Sequence, residues 1–237
     1  MRMRKTCALV ACGALVAALG LFGCSSGGGE SQPAAGDGSA DGAATEEPAA
    51  SQPAGEDIVP VEGTVESPAQ MGEWLPATIY SVEDDADHII YYRFTSVETD
   101  AAAVQEAVDA YNNSDSIFYI SELDADDADD MMYITVGYEM YIPEDTVLSE
   151  YGASVPNLYF SLYGTDGGSI EANGYTYIGL HGEDITVDGP DSVFPGDAIT
   201  GTYLFSAPQN VSEMLIQGDY TDPETEESIE TNTLLKL

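Results

Sequence analysis

The 237-residue chain reads as an all-β protein, an antiparallel β-sandwich with one short inserted helix, and three observations lead there. From Ile58 onward, short runs of aromatic and β-branched residues are punctuated by Gly, Pro, Asn and Asp, the pattern of strands joined by turns. One run, Met131 to Ile142, places Met132, Ile134, Val136, Tyr138, Met140 and Ile142 at alternate positions, so that six apolar side chains share one face of a strand. Many short strands each carry an apolar face that must be covered, and two sheets packed face to face supply that cover.

The elements follow from the N-terminus. Arg2, Arg4 and Lys5 precede a 15-residue apolar stretch, Ala8 to Phe22, and Gly23-Cys24 then gives way to Ser25-Ser26-Gly27-Gly28-Gly29. This is the layout of a secretory signal, and the stretch is short for a membrane span, which takes roughly 20 residues. Leu21-Phe22-Gly23-Cys24 resembles the lipobox of bacterial lipoproteins, although Phe22 stands where that motif usually has a small or aliphatic residue. The resemblance implies that residues 1–23 are removed and that the Cys24 thiol carries diacylglycerol. Two acyl chains give stable anchoring where one would be marginal, which places the rest of the chain at the extracytoplasmic face of a cell membrane.

Removal of the signal takes Arg2, Arg4 and Lys5 and no acid, so 43 carboxylates face only Arg93 and Lys236, a formal charge of −41. Nucleic-acid binding is excluded, because it needs clustered cations to displace phosphate counterions. Such a charge also keeps the body off an anionic lipid surface. Solubility and self-repulsion explain it without a dedicated cation-handling role. Cys7 and Cys12 leave with the signal and Cys24 is lipidated, so no disulfide, thiolate or cysteine metal site remains. About 180 residues must hold together through an apolar core, and chains of that size bury roughly 70% of their unfolded surface.

Residues 24–56 form the tether: Gly, Ala, Ser, Pro and acids, with no Ile, Leu, Val or aromatic residue. Such a segment stays disordered and reaches roughly 30 Å as a flexible coil. The folded domain spans 57–237. Besides Met131 to Ile142, strands are expected at Pro76–Val82, Ile89–Val97, Ile117–Leu123, Asn157–Tyr163, Tyr175–Leu180, Ile185–Val187, Ala198–Ser206, Glu213–Asp219 and Ile229–Leu235. Turns fit Thr165-Asp166-Gly167-Gly168, Asp188-Gly189-Pro190, Pro195-Gly196-Asp197 and Asp222-Pro223. Between Asp100 and Tyr111, Val104, Ala107, Val108 and Tyr111 recur at three- and four-residue steps, with Asp100 placed to cap. That is a short amphipathic helix, expected at a sheet edge or sandwich end.

Val193-Phe194-Pro195-Gly196-Asp197, then Gly201 to Pro208 and Met214-Leu215-Ile216, resemble the closing strands of a family of Ig-like bacterial lipoprotein domains of unknown function. Met131 to Ile142, and Leu158-Tyr159-Phe160 followed by Asp166-Gly167, fit its middle. The resemblance covers about residues 66 to 220 and implies an Ig-like sandwich. Residues 83–130 then form an insertion, and Tyr141-Ile142-Pro143 replaces the family's Asn-rich strand end.

Chemistry-bearing residues are few. Asp124, Asp126, Asp127, Asp129 and Asp130 form an acid run that would suit Ca²⁺, which takes six to eight oxygens, with Asp84, Asp85 or Asp87 as helpers. An EF-hand is excluded, since Asp129 occupies the glycine position and Thr135 the bidentate Glu position. The favoured reading is a solvated acidic loop that guards the next strand from unwanted pairing. His88 and His181 have no spacing that makes a zinc site, and are read as ordinary loop histidines. Arg93, alone in the body, is expected to form a structural ion pair or stack on a tyrosine, with a clamp on a ligand carboxylate as the sharper alternative. Tyr133, Tyr141, Tyr159 and Tyr163 fall on faces opposite the core sets, either as an exposed contact row or through plain β propensity. Trp74 is read as a plug in the core or at the sandwich end. Gly-x-Ser-x-Gly and Ser-x-x-Lys are absent from the sequence, and the expectation is no enzyme.

The function expected is a membrane-anchored, non-catalytic binding module for a protein, glycan or solute. A Ca²⁺-binding surface module and a hydrolase, with His181 facing Glu183 or Asp184, are the alternatives. Mass spectrometry of native material should find a chain that starts at Cys24 and carries an acyl adduct. Retention of residues 1–23 with an unmodified thiol would overturn the anchoring.

Overall fold

A computed structural model describes residues 58–114, 116, 118–120 and 130–237. The signal, Cys24, the tether and four residues of the acid run, Asp124, Asp126, Asp127 and Asp129, lie outside the described residues. The elements are β1 (Leu75–Ser81), β2 (Ala86–Glu98), α1 (Ala101–Asn112), β3 (Met131–Tyr141), β4 (Ala153–Ser154), β5 (Ser161–Tyr163), β6 (Ile170–Ala172), β7 (Tyr175–Tyr177), β8 (Leu180–Asp184), β9 (Ser192–Val193), β10 (Ala198–Pro208), β11 (Glu213–Thr221) and β12 (Ser228–Lys236).

Eight strands run in the order β1-β2-β3-β10-β8-β5-β11-β12, and every pair is antiparallel. β8 folds this order into two layers. Its Leu180 and His181 pair with Leu162 and Ser161 of β5, while Gly182, Glu183 and Asp184 pair with Phe205, Leu204 and Tyr203 of β10. The result is an all-β sandwich, with β4-β9 and β6-β7 as small ribbons.

The two outer edges are tied down, as unpaired strand edges must be. Asn232 N–H donates to Gly63 O (2.7 Å), Ala69 N–H to Asn232 O (2.9 Å) and Leu234 N–H to Ala69 O (2.8 Å), so residues 63–69 line β12. On the β1 side, the Thr78 hydroxyl accepts from Thr221 N–H (3.0 Å) and donates to Thr221 O (3.1 Å).

The core is aromatic at its centre. Phe160, just before β5, inserts among rings of the opposite layer, with centroids 5.0 Å from Tyr92, 5.0 Å from Phe94 and 4.9 Å from Tyr203. The backbone makes room for such rings. A Cβ on Gly218 would lie 2.7 Å from the Phe160 ring, and Cβ atoms on Gly182 and Gly201 would strike Phe205 and Tyr138. The Tyr92 hydroxyl reaches Thr231 Oγ1 across the layers at 2.8 Å, satisfying two polar groups that burial would otherwise penalise.

The alternation of Met131 to Ile142 holds. Ile134, Val136, Tyr138, Met140 and Ile142 are buried in the core, and Met132 is half-buried. The helix also forms as expected, with the Asp100 carboxylate accepting from Ala102 and Ala103 N–H at 3.1 Å, but its placement is different. Val104 and Val108 pack with Ile185 and Leu204, and with half-buried Tyr133, so α1 covers the outer face of β3 and β10 and not an edge. Tyr133 is therefore roofed, and of the four tyrosines proposed as a row Tyr159 alone is largely exposed.

Four strand assignments are corrected. Phe118 to Ile120 form no strand, because the Asn112 side chain satisfies both backbone groups of Ile120, accepting from its N–H (2.9 Å) and donating to its carbonyl (3.0 Å). Tyr175 to Leu180 splits between β7 and β8, and β8 ends at Asp184, just before the expected Ile185–Val187. Asn157 to Phe160 is not strand, so β5 is only three residues long.

Gly218→Ala tests the close approach of Phe160. Overpacking of this kind costs about 1–3 kcal/mol, to be read as a lower urea midpoint with an unchanged m-value.

Candidate functional site

The switch of β8 between layers leaves its last residue, Asp184, at the point where the sandwich opens. The carboxylate is held firmly. Oδ1 accepts from Thr186 N–H (2.9 Å) and from the Thr186 hydroxyl (2.6 Å), and Oδ2 accepts from the Tyr138 hydroxyl (3.2 Å). Burial, followed by the Asp184 charge, pushes the Tyr138 phenol up to about 12, so it stays a donor.

Two cavities meet at this carboxylate, since both are lined by Asp184 and Tyr111. The larger, 720 Å³, lies between the C-terminal end of α1 and the loop from Thr186 to Pro190. The smaller, 570 Å³, is lined by Phe118, Tyr119, Tyr133, Asn157 and Glu183 as well. Phe118 and Tyr119 are 71% and 75% exposed. A polar clasp keeps them there. Asn112 holds Ile120, the Ser116 hydroxyl accepts from Phe118 N–H (3.2 Å), and the same hydroxyl donates to the Tyr111 hydroxyl (3.0 Å). Tyr159, 75% exposed, accepts from Asn157 Nδ2 at 3.1 Å. Exposed ring faces, an amide and two carboxylates thus surround one cleft, and among the described residues no Lys, Arg or His lines either cavity.

Of the residues singled out from the sequence, Tyr133, Glu183 and Asp184 line this cleft, and Arg93, Trp74 and both histidines lie elsewhere. Arg93 donates through Nε (2.8 Å) to Glu139 Oε2, its partner across β2 and β3, and Nη2 lies 2.6 Å from the same oxygen in an ion pair. Its guanidinium lies 4.3 Å above the Trp74 ring, so the stack is on tryptophan and not tyrosine. Trp74 is buried, 8% exposed, and sits on the face opposite Tyr92 and Phe94, with Arg93 over its ring. His88 Nε2 meets the Asp84 carboxylate at 3.0 Å in the β1–β2 hairpin, and that hydrogen bond holds the Asp84 carboxyl below its usual range.

His181 meets Ser161 and not Glu183 or Asp184. Its Nδ1 lies 2.8 Å from Ser161 Oγ, in a cross-strand polar row continued by Gln217, opposite Ser161, and Asn232, 3.3 Å from Gln217 Nε2. Neither His181 nor Ser161 lines the cleft. Asp130 precedes β3, with its carbonyl accepting from Gln209 N–H (2.8 Å). Among the described residues no three His, Cys, Asp or Glu side chains are grouped to hold a metal ion. No helix among them is long and apolar enough to cross a membrane.

The cleft's aromatic rim was missed because Phe118 and Tyr119 read as strand. Nothing local marks Gly182 as the residue where β8 changes layers or Asp184 as the residue where it ends. Comparison with protein-family models, curated protein sequences and solved structures gave no match.

Tyr138 provides a pH test. A phenol whose value is raised from 10 to about 12 by folding stabilises the fold fully below pH 10, and that contribution is lost as pH rises through about 12. Urea unfolding should show stability falling more steeply above pH 10 in the wild type than in Tyr138→Phe.

Proposed function

We propose that this chain is a lipid-anchored extracytoplasmic protein of the Ig-like lipoprotein type, and that its domain is a non-catalytic binding module whose cleft at Asp184 takes a glycan or similar hydroxyl-rich ligand. The observation that carries the reading is the pair of exposed rings, Phe118 and Tyr119, held beside Asn157, Glu183 and Asp184. Large apolar side chains in water favour a partner that covers them. A sugar ring offers an apolar face to an aromatic ring and hydroxyls to carboxylates and amides, which accept and donate at its edge. The charged groups described in the lining are both carboxylates, Glu183 and Asp184, which disfavours an anionic ligand. A binding reading is favoured over hydrolysis because the Ser161–His181 pair stands apart from this cleft.

Calorimetric titration of the mature lipoprotein with a panel of soluble polysaccharides should find saturable binding without chain cleavage. Tyr119→Ala and Phe118→Ala should each weaken it about tenfold, equivalent to about 1.4 kcal/mol, while Tyr175→Ala, an exposed tyrosine outside the cleft, should leave it unchanged. Binding insensitive to both cleft substitutions, or absent throughout the panel, would overturn the assignment.

A further inference from the structure

A second groove, of 550 Å³, lies between the segment that enters the domain, the outer side of β1 and β2, and the turn of the β11–β12 hairpin. Its lining combines Tyr91, Tyr220, Pro76 and Pro223 with the carboxylates of Glu62, Glu224 and Glu230. We propose that this groove binds an extended, cationic, proline-containing segment of a partner protein.

The walls are preformed, which lowers the ordering cost of binding. Asn232 fixes the entering segment, its side chain donating to Gly63 O at 3.1 Å. The Thr78–Thr221 pair fixes β1 against β11. In the hairpin turn, Asp222 Oδ1 accepts from Glu224 and Thr225 N–H at 2.8 and 3.2 Å, and Asp222 N–H donates to Glu227 O at 2.9 Å. Tyr91 and Tyr220 are half-buried, leaving part of each side chain accessible.

Charge selects the occupant. Among the described residues no Lys, Arg or His lines the groove, and Glu62, Glu224 and Glu230 are all exposed at its rim. The field converges on Tyr220, whose phenol is raised by burial and by the charges of Asp222 and Glu62. The chain's own residues 24–56 contain no Lys or Arg and several acids, so they are repelled. A second mature copy offers only Arg93 and Lys236, and Arg93 is engaged by Glu139. A cationic partner is what remains. Grooves of tyrosine and proline accept polyproline-type segments, whose extended form is already ordered and whose flanking arginines pair with carboxylates at the rim.

The test uses the full mature lipoprotein in detergent and a fluorescent decapeptide of alternating proline and leucine ending in two arginines, followed by fluorescence anisotropy. Saturable binding is expected, lost when glutamates replace the arginines. The triple variant Glu62→Gln, Glu224→Gln, Glu230→Gln should weaken it at least tenfold. The triple variant Glu106→Gln, Glu144→Gln, Glu150→Gln removes the same charge at exposed sites away from the groove and should change it less than twofold. Tyr220→Ala should also weaken it, whereas Tyr119→Ala should not, which separates this groove from the cleft at Asp184. Equal weakening by the two triple variants would mean general attraction to an acidic surface and would overturn the proposal, as would failure of the arginine peptide to saturate.

Discussion

Phe160 enters a bracket of rings carried by the opposite layer, and the closure of the sandwich turns on that insertion. Tyr92 and Phe94 stand on β2 and Tyr203 on β10, all within about van der Waals contact of Phe160. The contacts with Phe94 and Tyr203 are edge-to-face, and such pairs contribute about 0.5–1.5 kcal/mol each beyond the area they bury. Gly218 lets the ring lie close on β11, where any larger residue would hold it away. Three of the core rings are phenols, and each sends its hydroxyl outward to a partner: Tyr92 to Thr231, Tyr203 to the Leu158 carbonyl at 2.6 Å, and Tyr138 to Asp184. The core is thus apolar at its centre and hydrogen-bonded at its ends, as buried polar atoms require. No side-chain polar atom buried among the described residues lacks a partner.

The same arrangement builds the cleft. Tyr138 packs against Tyr203 with centroids 5.2 Å apart, which directs its hydroxyl to Asp184. Gly182, lying against the Phe205 ring, lets β8 cross from one layer to the other two residues before Asp184. The helix then roofs the outer face through Val104 and Val108, and the residue at its C-terminal end, Asn112, presents Phe118 and Tyr119 at the rim. Core, strand switch and helix each fix a different side of one opening, while its aromatic rim, Asn157 and the wall from Thr186 to Pro190 lie in loops.

How much of this the chain displayed in advance depended on how many neighbours each segment answers to. β3 was legible because one layer covers the whole of one face, so its alternation runs unbroken from Ile134 to Ile142. The stripe of α1 and its cap at Asp100 were legible for the same local reason. The face that α1 covers was not, since Tyr133, Thr135, Gly137 and Glu139 read as a solvent-facing set even though Thr135 is buried. Leu180-His181-Gly182-Glu183-Asp184 shows no alternation because its two halves belong to different layers. Phe118-Tyr119-Ile120 has strand composition, but an amide side chain takes the place of a neighbouring strand. Arg93 could be foreseen as an ion pair from its scarcity, whereas its stack on Trp74 required the register of β2 beside β1.

Scarcity of cations also shapes what the surface can recognise. Among the described residues Arg93 is engaged by Glu139 and Trp74, and Lys236 lies 3.9 Å from Glu213 at an exposed position, a pairing that contributes little. Ion pairs therefore do not hold this domain together, and its stability rests on the aromatic core and the tied edges. The carboxylates left uncompensated are free to act outward. They repel anionic surfaces and other copies of the chain, and they admit to the two openings only neutral or cationic partners. In the functions proposed for them, the polarity of the lining distinguishes the two openings. Ring faces beside an amide and carboxylates suit hydroxyls, while a floor of prolines and tyrosines under an acidic rim suits an extended basic chain.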